Sequence, residues 1–285
     1  MPGADIDSRD YIVAFQLYSP NDCPPDFKLD SCLRDFEAGV FLPRDDPDWF
    51  GRSSYPPRIL LLRDRQLTIL SHPSVQEGTW ECQLADLISV EAGHMLLKGW
   101  LRFVGSGFDR TIRYNTRGYR SVFRFIQRFR QAWLGNDTGL DTSAKRLPEL
   151  TTKFDAELAL ELEPGESVRA HFYQPPREIR SRSWLLPRQT QTPGDLVILT
   201  GKRLIWITDR HRGFWARYGT VASSARLSAL TAAEVVSASV GATLTISLAG
   251  GSHWIVPLTA GREADAKAFA ADAIQDRNYD AIGRA

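Results

Sequence analysis

Cysteine is scarce in this chain: Cys23, Cys32 and Cys82 are the only three in 285 residues. Their number and spacing exclude a disulfide-dense scaffold and a C-x₂₋₄-C metal half-site. An odd count without a framework fits a reducing compartment. Net charge is missing too. The 35 basic and 34 acidic side chains sum to +1, which speaks against a dedicated nucleic-acid binder. No apolar run approaches the roughly 18 residues of a membrane span, and runs such as residues 59–62 are strand-sized. The opening MPGADIDSRD is acidic, whereas a secretory signal needs a basic start and an apolar stretch. Together these absences describe a cytoplasmic protein without a transmembrane segment, with a peripheral membrane position left open.

Catalytic signatures are absent as well. His72, His94, His171, His211 and His253 form no H-x₃-H or H-E-x-x-H pair, and no G-x-S-x-G is present. Gly105-Ser106-Gly107 lacks the third glycine of a dinucleotide fingerprint, and Gly201-Lys202 lacks the upstream glycine of a phosphate loop. The cluster Asp45, Asp46, Asp48 lacks EF-hand spacing. No catalytic, cofactor-binding or metal-binding residue is therefore assigned, and no cofactor is expected. A binding role is favoured over an enzyme.

What the chain does contain is an internal echo. Residues 59–72 lie over residues 196–209 without a gap. Each copy is an apolar run, a polar turn (RDRQ; TGKR) and a second apolar strand, the pattern of a β-hairpin. Asp64 or Gly201 marks the place where a tight turn tolerates an unusual φ. After a six-residue insertion around residues 212–220 the match resumes at a spacing of 143, with Leu84 on Leu227, Glu91 on Glu234, Leu101 on Leu244 and Gly118 on Gly261. In each half, strands at 101–104 and 111–114, or 244–248 and 254–258, lead to a Thr-x-Gly sequence and a helix. Tyr119, Val122, Phe123, Ile126, Phe129 and Trp133 share one face of the first helix, and Ala266, Phe269, Ala270, Ala273 and Ile274 one face of the second. Thr116 and Thr259 read as N-caps, and Gly135 with Asn136 as the end of the first helix.

The resulting division is an irregular acidic segment at 1–38, a first domain at 39–134, a polar linker at 135–147, a second domain at 148–278 and a tail at 279–285. Strands are expected at 11–18 and 39–42, and a short helix within 148–160. The fold class is mainly β (α+β): two tandem small barrels or bent antiparallel sheets, each closed by a C-terminal amphipathic helix. The residues Leu162-Glu-Pro-Gly-Glu166, the hairpin GDLVILTGKRLIWITD of residues 194–209, residues 227–235 and the final helix resemble the bacterial pleckstrin-homology-like (PH-like) domains. The likeness covers residues 160–274, and more loosely 39–134, where Arg63 stands in place of Thr200. It implies recognition of a lipid headgroup, peptide or protein, and fold alone does not choose among them.

Two surfaces are candidates for that contact. Arg117, Arg120, Arg124 and Arg128 fall together opposite the apolar face of the first helix, within a stretch (residues 96–147) holding 11 basic and 3 acidic side chains. Phe125, set off the buried face, is an expected membrane-inserting residue. The acidic residues 1–57, with 11 acidic and 5 basic side chains, are a competing occupant of the same face. The second surface is the aromatic and basic insertion carrying Phe214, Trp215 and Tyr218. The expected partner is a protein or anionic lipid headgroups. The alternative is a β-barrel holding a small apolar ligand or carrying a hydrolytic activity, which requires convergent polar groups in a pocket.

Overall fold

The structure, a computed structural model, describes residues 13–27, 35–44, 55–73, 78–95, 98–135, 147–179, 189–209, 219–237 and 241–283. It is mainly β, built from antiparallel sheets, none of which closes into a barrel. Strands β1 (Phe15–Leu17), β2 (Ala38–Leu42), β3 (Arg58–Arg63), β4 (Gln66–Ser71) and β5 (Thr79–Gln83) form one sheet in sequence order. Then come β6 (Leu87–Met95), β7 (Lys98–Gly105), β8 (Phe108–Asn115), α1 (Tyr119–Leu134) and α2 (Thr152–Glu161). They are followed by β9 (Val168–Gln174), β10 (Arg177–Ile179), β11 (Gln189–Thr192), β12 (Asp195–Thr200), β13 (Arg203–Thr208) and β14 (Gly219–Arg226). The chain ends with β15 (Leu230–Ser237), β16 (Ala242–Leu248), β17 (His253–Leu258) and α3 (Glu263–Gly283).

A second sheet runs β8-β7-β6-β14-β13-β12-β9, a third β15-β16-β17, and β10 pairs with β11. The barrel version of the expectation fails for a local reason. Short 3₁₀ turns, Leu84–Asp86 after β5 and Leu227–Ala229 after β14, send the chain out of one sheet and into another. The chain divides into two compact units, residues 1–87, 96–102 and 110–136, and residues 88–95, 103–109 and 137–285.

Hairpins β3–β4 and β12–β13 begin 137 positions apart, at Arg58 and Asp195, and keep one register: Leu60 faces Ile69 and Val197 faces Trp206. Outside them, β5 and β14 also match, Glu81 facing Thr68 and Ser224 facing Ile205. Backbone bonds repeat as well. Leu84 N–H donates to the Arg65 carbonyl at 2.8 Å and Leu227 N–H to the Lys202 carbonyl at 3.0 Å.

The apolar runs of β3 and β12 are continuous because both faces are covered. In β12, Val197 and Leu199 enter a core with β15–β17 and the Ala266, Phe269, Ala270 and Ala273 face of α3. Leu196 and Ile198 point the other way, under Phe154 and Leu158 of α2. In the other unit, Ile59 and Leu61 pack with Leu17, Phe27, Phe41 and Leu70.

Three local expectations are corrected. Asp64 (φ 46°) and Arg65 (φ 61°) make the left-handed turn of β3–β4, but Gly201 has no such φ, because the Thr200 hydroxyl accepts the Lys202 and Arg203 N–H groups at 3.2 and 3.1 Å. Thr116 is not the cap of α1. Gly118 is, at φ 80°, and Gly261 repeats that conformation at φ 86°. The shared Thr-x-Gly thus reflects a left-handed glycine turn. The Thr259 carbonyl likewise accepts the Arg262 N–H before α3 begins at Glu263. Finally, the buried face of α1 comprises Val122, Phe125, Ile126, Phe129, Arg130 and Trp133, so Phe125 lies in the core, while Tyr119 and Phe123 pack at its flank with their rings tilted by 31°.

Candidate functional site

Helix α1 turns its arginines outward as its period requires. Arg120, Arg124 and Arg128 recur at every fourth residue and are exposed, as is Arg117 just before the helix. Ser121, Gln127, Gln131 and Ala132 flank them, and no apolar residue of the helix is fully exposed. Arg117 is anchored through its backbone. Its N–H donates to Asn115 Oδ1 at 2.8 Å and its carbonyl accepts from Ala14 N–H at 3.2 Å. Residues 13 and 14 therefore sit against the start of α1, so close that a Cβ on Gly118 would stand 2.3 Å from the Ala14 carbonyl oxygen. Among the described residues, none of Arg117, Arg120, Arg124 and Arg128 is paired with a carboxylate. In the same unit Lys98, Arg102 and Arg113 are exposed on β7 and β8, and Arg113 lies over the Tyr55 ring with its guanidinium carbon 5.3 Å from the centroid. Phe214, Trp215 and Tyr218 fall outside the described residues, as do residues 1–12 of the acidic segment, the Asp45–Asp48 cluster and His211.

Residues 162–166 and 194–209 are joined by a contact that their local pattern does not announce. They converge on one buried ion pair in the second unit. Arg203, without exposed surface, donates from Nε to Glu166 Oε1 at 2.9 Å and from a terminal nitrogen to Oε2 at 2.6 Å. The same guanidinium reaches the Glu161 carbonyl at 2.6 Å and Ser224 Oγ at 3.2 Å. Glu166 also accepts from Thr200 Oγ1 at 2.7 Å and from the Glu163 N–H at 3.1 Å. Burial pushes the Glu166 carboxyl up, but the Arg203 charge and the hydrogen bonds from Arg203, Glu163 and Thr200 outweigh it and leave the pKa lowered. The E-P-G-E and L-T-x-x-R sequences are thus two sides of one bidentate fork. Such a pair, satisfied and shielded from solvent, fixes the fold and offers nothing to a ligand.

Other polar groupings lack the geometry for chemistry. Thr220 Oγ1 donates to Glu157 Oε1 at 2.8 Å and lies 3.4 Å from His94 Nε2. That same ring nitrogen also faces Glu157, at 3.9 Å. A nucleophile–base–carboxylate relay needs opposite ring nitrogens for its two partners. His72 directly follows β4 and contacts Asp26 Oδ2 at 2.8 Å. Asp209, 137 positions on and just after β13, accepts the Gly194 N–H at 2.6 Å. Both are strand-end ties. Burial raises the thiol pKa of Cys23 to about 11 and of Cys82 to about 12, each helped by a nearby aspartate, so neither is a ready nucleophile. Among the described residues no group of three or more His, Cys, Asp or Glu is arranged to hold a metal ion, and no helix is long and apolar enough to cross a membrane.

Open grooves are present among the described residues. One, of about 580 Å³, runs between β15 and α3. Another, of about 440 Å³, lies beside Tyr18, Phe36 and Glu37 in the first unit. Compared with known proteins, the chain matches no family model and no curated protein.

Proposed function

We propose that this protein is a non-catalytic binding or scaffolding protein built from two PH-like domains, and that it grips an acidic protein surface through Arg120, Arg124 and Arg128, with Arg117 leading the stripe. The observation that carries this reading is the stripe itself: three exposed guanidinium groups at a spacing of four, facing no carboxylate among the described residues. A row of this kind suits planar, bidentate recognition of carboxylates. A protein partner is preferred to a membrane because Phe125 is buried, which removes the apolar wedge that an interfacial helix uses. The two-domain reading is supported by the strand registers that recur at constant offsets, and by the arrival of each half at a helix after three strands.

The test uses immobilised polyglutamate as the acidic probe and phosphatidylserine/phosphatidylcholine vesicles as the lipid one. The chain should be retained on polyglutamate in a salt-dependent way. With each arginine contributing about 1 kcal/mol at a charged surface, reversing Arg120, Arg124 and Arg128 to Glu should weaken retention by about a hundredfold or more. Equal retention of the triple variant removes the helix face from the reading. Capture by vesicles but not by polyglutamate replaces the protein partner with a membrane.

A further inference from the structure

The internal junction between β6 and β14 implies a second junction of the same kind. In the first, β6 accepts β14 along its edge, with Ala92 facing Ala222, Glu91 facing Ser223, Val90 facing Ser224 and Ser89 facing Ala225. Both strands have counterparts 143 positions away, the distance from Leu84 to Leu227 where the two 3₁₀ turns begin. The counterpart of β14 is β5, as the equal registers against β4 and β13 establish. The counterpart of β6 is β15, which follows the same 3₁₀ turn. Yet β5 ends its sheet and β15 ends its own, and among the described residues neither has a strand on its outer side.

The geometry points to the outer edge of β15 as a docking site for β5 of a second copy of this chain, by antiparallel strand addition. Carrying the internal register across by 143 positions gives the contact directly. Thr79 of one copy faces Val235 of the other, Trp80 faces Glu234, Glu81 faces Ala233 and Cys82 faces Ala232. Independently of that arithmetic, Ala233, Glu234 and Val235 line the open groove of about 580 Å³, whose opposite wall is Lys267, Ala270 and Ile274 of α3. The groove therefore lies along the very stretch of β15 that the translated register selects. No like charges stand opposite each other in it, a condition for stable cross-strand pairing. Ala233 and Val235 pack toward the core, so their partners Glu81 and Thr79 arrive on the side where Lys267 lines the groove, and the Glu81 carboxylate complements that ammonium group.

Free strand edges recruit strands because their N–H and C=O groups lack partners. Here the recruited strand differs from the accepting one, so the contact is heterologous and each copy both gives and accepts, producing a ring or an open chain. The inference rests on the observed registers and not on the arginine stripe or its ligand.

Disulfide trapping between variants of the full chain that each carry one added cysteine tests it. Thr79→Cys protein mixed with Val235→Cys protein should yield a disulfide-linked heterodimer under mild oxidation, because residues facing each other across antiparallel strands lie about 4.5–5.5 Å apart at Cα, within disulfide reach. Gln83→Cys mixed with Val235→Cys, four residues out of register, should not. Wild-type chain treated identically reports any background from the native thiols. The wild type should sediment above the monomer value, or rise above it with concentration, and Ala233→Lys should return it to the monomer value while keeping the circular dichroism of the wild type. A sedimentation coefficient that stays at the monomer value at every concentration overturns the inference, and so does equal trapping of the in-register and out-of-register pairs. Should Ala233→Lys unfold, the cysteine pairs still decide. Because no acidic probe is present, loss of polyglutamate binding by the arginine variant and loss of self-association are separate observations.

Discussion

Hairpins β3–β4 and β12–β13 share length, register and neighbours, yet they are held by different chemistry. The first closes through backbone conformation. Asp64 and Arg65 both take positive φ, the pair of left-handed residues that a two-residue turn needs to match strand twist. Its side chains add little, since the Arg63–Asp64 pair is largely exposed and such pairs contribute about 0–1 kcal/mol. The second closes through side chains. Thr200 holds the turn, and Arg203 and Glu166 bind it from beneath. At the position of Arg203 the first hairpin has Gln66, which makes one amide contact with Glu81. One topology is thus reached twice, once by exposed backbone strain and once by a buried ionic network.

The largest effects should come from breaking that network. Arg203→Met leaves Glu166 buried and without its cation, which costs about 3–5 kcal/mol, whereas Gln66→Met, at the equivalent half-buried site, should stay within about 0.5 kcal/mol. Urea denaturation of the two variants measures the contrast. Adding Glu166→Leu to Arg203→Met should recover much of the loss, because a buried ion pair replaced by apolar groups is often close to neutral. A double variant as unstable as the single one would place the cost in packing instead.

The same network ties the stability of the second hairpin to pH. The folded-state pKa of Glu166 is lowered from its ordinary value of 4.5. Its contribution is therefore fully present above about 4.5, and it is lost as pH falls through the lower folded value. The wild type should lose urea resistance on that acid limb more steeply than the Arg203→Met/Glu166→Leu variant. Parallel acid limbs would show that Glu166 titrates no differently in the folded and unfolded chain.

The signal for this difference was present in the sequence but not as an interaction. Alternation and apolar runs placed β3, β4, β12 and β13, and the spacing of 143 aligned residues that the structure puts in equivalent positions, because both depend on local patterns of two and four residues. Arg203 and Glu166 lie 37 residues apart, and nothing local announces that an arginine inside an apolar strand must find a carboxylate. A charged residue within R-L-I-W-I-T was itself the clue, since a buried guanidinium requires a partner. Phe125 was misplaced for a related reason. The period of α1 admits more than one apolar arc, and only packing decides that the arc centres on Val122, Ile126 and Phe129. The joining of β6 to β14, a pairing across the two sequence halves, had no local signature.

Equivalent glycines sharpen the comparison at a smaller scale. Gly118 and Gly261 both adopt positive φ before their helices. At Gly261 a Cβ would meet nothing within 4 Å, while at Gly118 it would strike the Ala14 backbone at 2.3 Å. Gly261→Ala should cost only the conformational strain, about 1–2 kcal/mol. Gly118→Ala carries the same strain and must also displace residues 13 and 14, so its denaturation midpoint should fall further. Equal midpoints would mean that this N-terminal contact yields without cost.

The smallest effect should differ in sign between the two turns. Arg65 adopts φ 61°, a conformation that costs a side-chain-bearing residue about 1–2 kcal/mol. Glycine relieves this and forfeits about 0.5–1 kcal/mol through its more flexible unfolded chain, so Arg65→Gly should stabilise by roughly 0.5 kcal/mol. The Arg65 carbonyl that accepts the Leu84 N–H is backbone and survives the change. Lys202, at the matching position, has no positive φ, so Lys202→Gly relieves nothing and incurs only the glycine cost. Its N–H bond to Thr200 must also be kept by a looser chain. Urea midpoints should therefore move up for Arg65→Gly and down for Lys202→Gly. Shifts of the same sign would mean that the two turns are held alike, and that the buried network in β12–β13 leaves the turn above it no more dependent on side chains than its counterpart in β3–β4.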